Sequence, residues 1–330
     1  MSNWLPILTW LPAYQRSWLR DDIIAGFTIW AVIVPLAMAC AVLVGVEPIV
    51  GLYTLPLAML CYAIFGGTRL HVVGADTAVA VLSGSLIAYL AAAGGEAAAL
   101  AVILALMAGV IYLIFFLLKM GWIADLIPEP VLKGFIEGVV WLTILKQLNA
   151  LLGLGLVDAP SEFHLLLLAS AKQLPDAHLM TALMGLSCIA VLFLLRWFVP
   201  RVPGSIVVLV VTILIVWLAG LDDLGVAVLG EVSGGFPDLT LPFTVGLDHV
   251  FALVPGALAV VVLGFTKSLA ALKRAAEETG EVIEPNRELL AIGASTIGAG
   301  LSGGYPPAGS LTATTVGIAS GSRSQMASLV

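Results

Sequence analysis

The sequence predicts an all-α membrane protein, part of a 7+7 inverted-repeat transporter fold in which two half-helices meet at the membrane midplane. Three observations predict it: the composition, a succession of long apolar windows, and two interrupted segments that echo each other. Of the 330 residues, 61% are hydrophobic and 11% are charged, whereas soluble proteins carry about 25% charged residues. So few charges cannot cover a water-facing surface. A soluble enzyme is therefore excluded, and the net charge of −7 also excludes a nucleic-acid binder, since it repels phosphates.

The apolar windows divide the chain into about ten spans, because a spanning helix takes about 20 residues. A further helix over Ser161–Gln173 is too short and too polar at its ends to cross, and we expect it at the membrane surface. In chain order, the predicted spans 1 to 10 are Ile23–Val44, Ile49–Phe65, Gly74–Ala93, Ala97–Leu118, Val131–Leu151, Met180–Val199, Ser205–Gly220, Val250–Leu272, Leu289–Ser302 and Ala308–Ala319.

Lysine and arginine residues predict the orientation, because cytoplasmic loops carry an excess of them. With the N-terminus placed in the cytoplasm, only Lys146 and Lys172 fall outside, and Lys267 is left inside span 8. We therefore predict a multi-pass protein of a bacterial-type inner (plasma) membrane with a cytoplasmic N-terminus. The basic residues that then fall inside are Arg16, Arg20, Arg69, Lys119, Lys133, Arg196, Arg201, Lys273, Arg274, Arg287 and Arg323.

Two segments echo each other. Residues 65–78 read FGGTRLHVVGADTA and residues 301–315 read LSGGYPPAGSLTATT. Each is an apolar stretch interrupted by glycine and followed by small Ser, Thr and Ala residues; the first would run outward and the second inward. Such a pair marks inverted repeats in transporters. We therefore predict a cytoplasmic segment over 1–20, a first repeat of spans 1 to 7 over 21–220, and an incomplete second repeat of spans 8 to 10 over 221–330.

These two segments predict an anion site that needs no metal and no cofactor. Half-helices that begin near the midplane point unpaired backbone N–H groups and positive dipole ends at each other. The hydroxyl groups of Thr77, Ser310 and Thr312 could add donors. The alternative is that glycine and proline merely kink packed helices. The candidate amides are those of Gly74, Ala75, Asp76 and Thr77, facing those of Ala308, Gly309, Ser310 and Leu311.

Three ionisable residues within the spans are candidates for function, because charges are rare and costly there. Lys267 could supply a fixed positive charge to an anion, or it could snorkel from the cytoplasmic end of span 8 to headgroups. Asp76 could be the N-cap of the first half-helix, an ion-pair partner of Lys267, or a titrating group that couples protons to transport. Glu137 in span 5 is a weaker candidate, for which helix–helix hydrogen bonding is the simpler role.

One enzyme motif competes with this interpretation. Gly300-Leu301-Ser302-Gly303 matches the GxSG motif of intramembrane serine proteases. Such a serine needs a histidine base within hydrogen-bond reach, and no histidine follows Ser302 in the chain. We therefore expect no enzyme activity and no catalytic residue.

Several stretches resemble the sulfate permease (SulP) family of anion transporters, from about Asp21 to the end of the chain. They are DIIAGFT at 22–28, VPLAMA at 34–39, EPIVGLY at 47–53, VGADTA at 73–78, PNREL at 285–289 and GGYPPAGS at 303–310. The resemblance implies a core domain that slides against a gate domain, and an anion site between segments 3 and 10, flanked by segments 1 and 8. It thereby adds Pro35 and Leu36 to the site. It also implies truncation after about segment 10, without the last four segments and the cytosolic STAS domain that family members commonly carry.

Four positions depart from the family pattern. Leu36 stands where many members have Gln, and Ala75 where a proline often follows the glycine. Lys267 stands where many have a carboxylate, and Ala313 where many have an arginine. In sodium-coupled bicarbonate members that carboxylate helps to hold a cation near the anion. We hypothesise that Lys267 replaces the cation, or the missing arginine, with a built-in ammonium, so that transport is sodium-independent.

The sequence thus predicts a secondary active transporter of a small inorganic anion, sulfate first and bicarbonate or chloride next, that works by alternating access. The expected partners are the anion, a co-transported proton if Asp76 titrates, the lipid bilayer, and a second copy in a homodimer when full length; no nucleic acid is expected. A nucleobase–cation symporter of the same fold is the first alternative, but it would want a carboxylate in span 10, and that span has none. The intramembrane protease is the other.

Overall fold

A computed structural model of the chain is largely helical, and its described residues include one pair of two-residue strands. It describes residues 5–92, 95–122, 129–154, 163–198, 204–221, 223–226, 228 and 246–330. The strands are β1 (Val73–Gly74) and β2 (Ala308–Gly309). Within the described residues the α-helices are α1 (Ile7–Trp10), α2 (Leu19–Val44), α3 (Pro48–Phe65), α4 (Thr77–Ala91), α5 (Ala97–Leu117), α6 (Glu129–Leu151), α7 (Phe163–Gln173), α8 (Leu179–Phe198), α9 (Gly204–Ala219), α10 (Leu247–Thr279), α11 (Pro285–Leu301), α12 (Leu311–Ala319) and α13 (Met326–Leu329).

Each predicted span coincides with one helix, and α7 takes the place of the predicted surface helix. Some predicted helix ends and basic residues lie outside the described residues: Ala93, Ser161, Val199 and Arg201. The structure also does not describe the side chains of Lys133, Lys146, Ser205 and Arg274. By length and composition, five helices in the described parts could cross a membrane. They are Arg16–Val44, Pro48–Phe65, Ala97–Leu117, Leu179–Phe198 and Asp248–Thr279.

Glycine and proline fix the helix ends. α2 stops at Gly45, whose φ of +88° is left-handed and whose N–H donates to the carbonyl of Ala41. A residue without Cβ adopts that conformation at little cost, which is why glycine ends many helices. Pro48 occupies the first turn of α3, where its missing N–H costs nothing. The turn between spans 1 and 2 therefore follows directly from residues 45–48.

The chain forms two compact units. Unit 1 contains Met1–Val131 and Gly234–Val330, and unit 2 contains Leu132–Ser233. Spans 1 to 4 and 8 to 10 thus belong to unit 1, and spans 6 and 7 with most of span 5 to unit 2. The division into repeats over 21–220 and 221–330 cuts the chain differently, and it stays a prediction.

Small residues let the helices of unit 1 approach closely. α11 packs against α5 and α3. A Cβ added at Gly109 of α5 would lie 3.0 Å from the Ile297 backbone nitrogen, and one at Gly298 of α11 would lie 2.9 Å from the Leu57 carbonyl oxygen. Any side chain at these positions would push the backbones apart, which is the usual role of small residues between membrane helices.

The start of α2 is tied to the segment that follows α12. The carboxylate of Asp22 is buried and accepts hydrogen bonds from the backbone N–H of Arg323 at 2.7 Å and of Ser324 at 3.2 Å, and from the Ser324 hydroxyl at 2.7 Å. Gln325 then donates to the carbonyl of His71 at 2.8 Å. Asp22 is the first residue of the DIIAGFT stretch. Its carboxylate holds the segment that follows the second half-helix, which gives this stretch a structural role.

Unit 2 contains helices α7, α8 and α9 and most of α6. Asn149 of α6 donates to the hydroxyl of Ser170 in α7 at 2.8 Å. Large apolar side chains such as Phe193 and Trp197 in α8 are exposed within the described residues. An apolar surface of this kind fits a helix that faces lipid or other protein segments.

Candidate functional site

The two interrupted segments meet in a short strand pair. Val73 pairs with Gly309 and Gly74 with Ala308, in antiparallel register. α4 begins at Thr77 and α12 at Leu311, shortly after their strands. Because the strands are antiparallel, the two helices leave the pair in opposite directions. Both N-termini therefore lie at this point, which we call the crossing and define as residues 73–77 and 308–312.

The small residues of the crossing are there because the backbones are in contact. A Cβ at Gly309 would lie 2.7 Å from the Nε2 atom of His71 and 2.7 Å from the Cα atom of Ser268 in α10. A Cβ at Gly74 would meet the side chain of Ile33 in α2. Ala75 and Ala308 are fully buried. Even a methyl group at Gly74 or Gly309 would therefore clash with these neighbours, and the absence of side chains there is what permits the strand pair.

Each half-helix has a side-chain cap. Asp76 is the N-cap of α4, and its Oδ1 atom accepts from the backbone N–H of Ala78 at 3.0 Å and of Val79 at 3.2 Å. Ser310 is the N-cap of α12, and its hydroxyl oxygen accepts from the backbone N–H of Ala313 at 3.2 Å. These are the usual contacts of Asp and Ser at helix starts.

Lys267 of α10 reaches the crossing. Its Nζ atom lies 3.0 Å from the Oδ2 atom of Asp76, and the two side chains are 18% and 9% exposed. The ammonium is thus held at the first half-helix and does not extend to a headgroup. A buried carboxylate that accepts helix amides on one oxygen and an ammonium on the other is fully paired. Asp76 is therefore both the N-cap of α4 and the ion-pair partner of Lys267.

At least two of the eight candidate amides donate hydrogen bonds inside the protein. The Gly309 N–H donates to the hydroxyl of Ser268 at 2.7 Å, and the Ser310 N–H to the carbonyl of Val72 at 2.9 Å. Within the described residues, the first amides of the two helices, those of Thr77 and Leu311, have no hydrogen-bond partner. Unpaired N–H groups of this kind are what a helix start offers to an anion.

The second amide of α12, that of Thr312, is also unpaired in the described part of the chain. Leu311 is 46% exposed and Thr312 is exposed, whereas Thr77 is half-buried. The start of α12 is therefore the more accessible of the two helix ends.

Sequence reasoning missed several polar residues that build the crossing. Ser268 anchors Gly309, and the Thr314 hydroxyl accepts from the Val72 N–H at 3.1 Å. The Tyr305 hydroxyl donates to the carbonyl of Ala37 in α2 at 3.0 Å. Ser268 directly follows Lys267 and Tyr305 lies in the interrupted segment, so position in the chain was the available signal. Their partners are distant in sequence, and nothing local specifies them.

The remaining candidates lie around or away from the crossing. α2 packs against α4 and α12, and α10 packs against α4, α12 and β2, so helices from spans 1 and 8 flank the crossing. Pro35 is exposed and Leu36 is half-buried within α2. Glu137 is exposed on α6 in unit 2. Ser302 is buried, and its hydroxyl contacts the carbonyls of Tyr53, Gly298 and Ala299 at 2.7–3.1 Å, as a structural serine does.

Comparison with known proteins decides the family. Residues 19–330 match the sulfate permease family. The chain belongs to this family. It is 31% identical over 330 residues to a probable sulfate transporter of Mycobacterium tuberculosis, a match that covers 100% of this chain and 58% of the relative. The chain thus spans a little over half the length of this curated relative.

Two solved structures share its fold. Murine solute carrier 26 family member A9, an anion transporter in the inward-facing state, is 23% identical with a TM-score of 0.88; the match covers 99% of this chain and 57% of that one. The transmembrane domain of the cyanobacterium bicarbonate transporter BicA is 26% identical with a TM-score of 0.80, and the match covers 96% and 81%. The predicted family and the 7+7 inverted-repeat fold are confirmed. The chain is a multi-pass membrane protein of a transporter family, not a protease.

Proposed function

We propose that the full-length protein is a secondary active transporter of a small inorganic anion, which binds at the crossing. The observation that carries the proposal is the ammonium of Lys267 at the N-cap of α4, at a crossing where the first amides of both half-helices have no partner in the described part of the chain. A negative ligand there would receive hydrogen bonds from the amides of Leu311 and Thr312 and a charge-assisted one from Lys267. The hydroxyl groups of Thr77, Ser310 and Thr312 would complete a shell that replaces water around the anion.

Sulfate is the first substrate in this proposal, with bicarbonate and chloride next. The relative from Mycobacterium tuberculosis is named a probable sulfate transporter and BicA a bicarbonate transporter. α12 has no carboxylate to pair with a nucleobase, so a nucleobase–cation symporter is disfavoured.

Transport would be independent of sodium. A carboxylate at the position of Lys267 could hold a cation next to the anion, whereas the ammonium supplies that positive charge itself. Lys267 and Asp76 pair at 3.0 Å, which leaves no free carboxylate at the crossing for a metal ion.

The transport cycle would alternate access to the crossing from the two sides of the membrane, with the repeats 21–220 and 221–330 as the related halves. The N-terminus would lie in the cytoplasm, in accord with the distribution of basic residues. The full-length protein would act in the plasma membrane as a homodimer.

The test is uptake by the full-length protein in proteoliposomes, with labelled sulfate, bicarbonate, chloride and uracil compared side by side. We expect saturable sulfate uptake that is the same in sodium and in potassium buffers. Lys267→Ala should abolish it, and Lys273→Ala, which removes an exposed lysine from the same helix, should leave it unchanged. Uptake of uracil alone would refute the anion assignment. Strict sodium dependence would refute the role of Lys267 as a built-in cation.

A further inference from the structure

The segment before α2, residues 5–18, is held against the end of α3. The indole N–H of Trp10 in α1 donates to the carbonyl of Ala63 at 3.1 Å. Ala63 lies in the last turn of α3, a helix long and apolar enough to cross the membrane. The segment therefore lies at the level where a spanning helix ends, and tryptophan is enriched at this boundary between lipid and water.

The first part of this segment has two different faces. Pro6 is buried and Trp10 is half-buried, so this side packs against the protein. Leu5, Leu8 and Leu11 are 38%, 68% and 49% exposed. Residues three apart lie on one face of a helical turn. The three leucines thus form an exposed apolar row, which we call the leucine row.

The backbone around the leucine row is suited to an apolar environment. The N–H groups of residues 8–11 all donate to carbonyl groups of residues 5–7. The hydroxyl of Thr9 donates to the carbonyl of Pro6 at 2.7 Å. Polar groups that are already hydrogen-bonded within the protein do not have to be satisfied by water when they approach lipid.

Two arginines follow the leucine row. Arg16 and Arg20 are exposed, and neither forms an ion pair within the described residues. Leu19, which lies between them in the chain, is 45% exposed and begins an exposed apolar series on α2 that includes Phe27 and Trp30. Such a series on a spanning helix fits lipid. The leucine row thus leads, past two positive charges, into the apolar surface of a helix that crosses the membrane.

We propose that residues 5–20 form an interfacial anchor, in which the leucine row enters the lipid leaflet where α3 ends and Arg16 and Arg20 bind the phosphates of lipid headgroups. An apolar face beside basic side chains is what lies in the plane of a membrane surface. The proposal changes the cytoplasmic segment expected over 1–20 into a membrane-bound one. The bond of Trp10 to α3 ties unit 1 to this leaflet. The anchor is independent of which anion is transported.

Nitroxide labels on the full-length protein test where the leucine row lies. Cys61 and Cys188 are half-buried and are replaced by alanine, whereas Cys40 is buried and remains. Collisions with oxygen, which concentrates in lipid, are compared with collisions with a nickel chelate, which stays in water. The vesicles contain phosphatidylcholine and phosphatidylglycerol.

The test label is at Leu8→Cys, and Phe27→Cys in α2 is the reference for a lipid-facing position. Val282→Cys is the matched control, because this apolar side chain is 90% exposed in the connection between α10 and α11, next to the acidic Glu281. We expect the label at Leu8→Cys to meet oxygen severalfold more often than nickel, as at Phe27→Cys, and the label at Val282→Cys to show the reverse.

Two results would overturn the proposal. If the label at Leu8→Cys meets nickel as often as the label at Val282→Cys, the segment lies in water. If it meets neither reagent, another protein segment covers the leucine row.

The arginines are tested with the same label at Leu8→Cys. Near an anionic leaflet, each arginine strengthens surface binding about fivefold. We expect the label to lie deeper with phosphatidylglycerol than in phosphatidylcholine alone, and Arg16→Gln combined with Arg20→Gln to remove that difference. Lys273→Gln, at an exposed lysine of α10, should keep it. A depth that is the same in both lipids would overturn the role of the arginines.

A second measurement needs no variant, so a misfolded labelled protein does not block the test. The wild-type protein is irradiated in vesicles that contain a phosphatidylcholine with a photoreactive diazirine near the top of one acyl chain, and the modified peptides are identified by mass spectrometry. We expect modification of residues 5–11 and of α2, but not of Val282. Modification of α2 without residues 5–11 would overturn the proposal.

Discussion

Gly309→Ala tests whether the strand pair is needed for transport. Gly309 lies in an extended segment, so alanine carries no conformational penalty there, and the effect is purely steric. The added Cβ would lie 2.7 Å from both His71 Nε2 and Ser268 Cα, whereas carbon atoms in contact prefer about 3.5–4.0 Å. His71 and Ser268 are fully buried, and one of the opposing atoms is helix backbone, so β2 has to move by roughly 1 Å.

Such overpacking costs about 1–3 kcal/mol, which we expect to appear as a fall of a few degrees in the thermal unfolding midpoint. The larger effect is on function, because the shift separates Gly309 from the Ser268 hydroxyl and displaces the start of α12. We expect sulfate uptake to fall at least tenfold, and the stabilisation of the protein by sulfate in thermal unfolding to disappear.

Gly246→Ala is the control, because its added Cβ would lie 3.8 Å from His249 Nδ1, an ordinary contact. It should retain both uptake and stabilisation by sulfate. A Gly309→Ala protein with wild-type uptake and an unchanged unfolding midpoint would refute the claim that the tight strand pair positions the site.

Three further substitutions test the contacts that support the crossing, each by thermal unfolding of the full-length protein. Asp22→Ala leaves the buried N–H and hydroxyl of Ser324 and the part-buried N–H of Arg323 without their acceptor and should destabilise by about 2–4 kcal/mol; an unchanged midpoint would show that water replaces the carboxylate. Tyr62→Phe removes the 2.9 Å hydrogen bond to the buried carboxyl group of Glu288 and leaves it only the N–H of Gly67 at 3.2 Å, which should cost about 1.5–3 kcal/mol; an unchanged midpoint would show that the Gly67 N–H suffices. Tyr305→Phe removes one neutral bond to α2 and should cost about 0.5–1.5 kcal/mol, with a loss above that range contradicting a simple hydrogen-bond role.

The helices could be predicted from the sequence because each needs about 20 apolar residues to cross a bilayer. The window for span 8, Val250–Leu272, was nevertheless shorter than α10, Leu247–Thr279. The last turns of this helix are rich in charged residues, so a search for apolar windows does not detect them. Helix capping and packing, not apolarity, decide where such a helix stops.

The half-helices were predicted to start near Gly74 and Ala308, but the helices begin at Thr77 and Leu311. The residues between pair as strands instead, and this pairing joins segments that are distant in the chain. The sequence predicted that the two segments meet, but no local pattern specified that they pair as strands. For the same reason, the pair of Lys267 with Asp76 was one of several alternatives until the structure brought α10 and α4 together.

The most direct test of the central claim is an experimental structure of the full-length protein with selenate, an analogue of sulfate whose selenium atom can be located by anomalous scattering. We predict one selenate at the crossing, with an oxygen about 3 Å from the Nζ atom of Lys267 and from the first amides of α12. Selenate bound only elsewhere, with the pair of Lys267 and Asp76 closed and the start of α12 empty, would contradict the account.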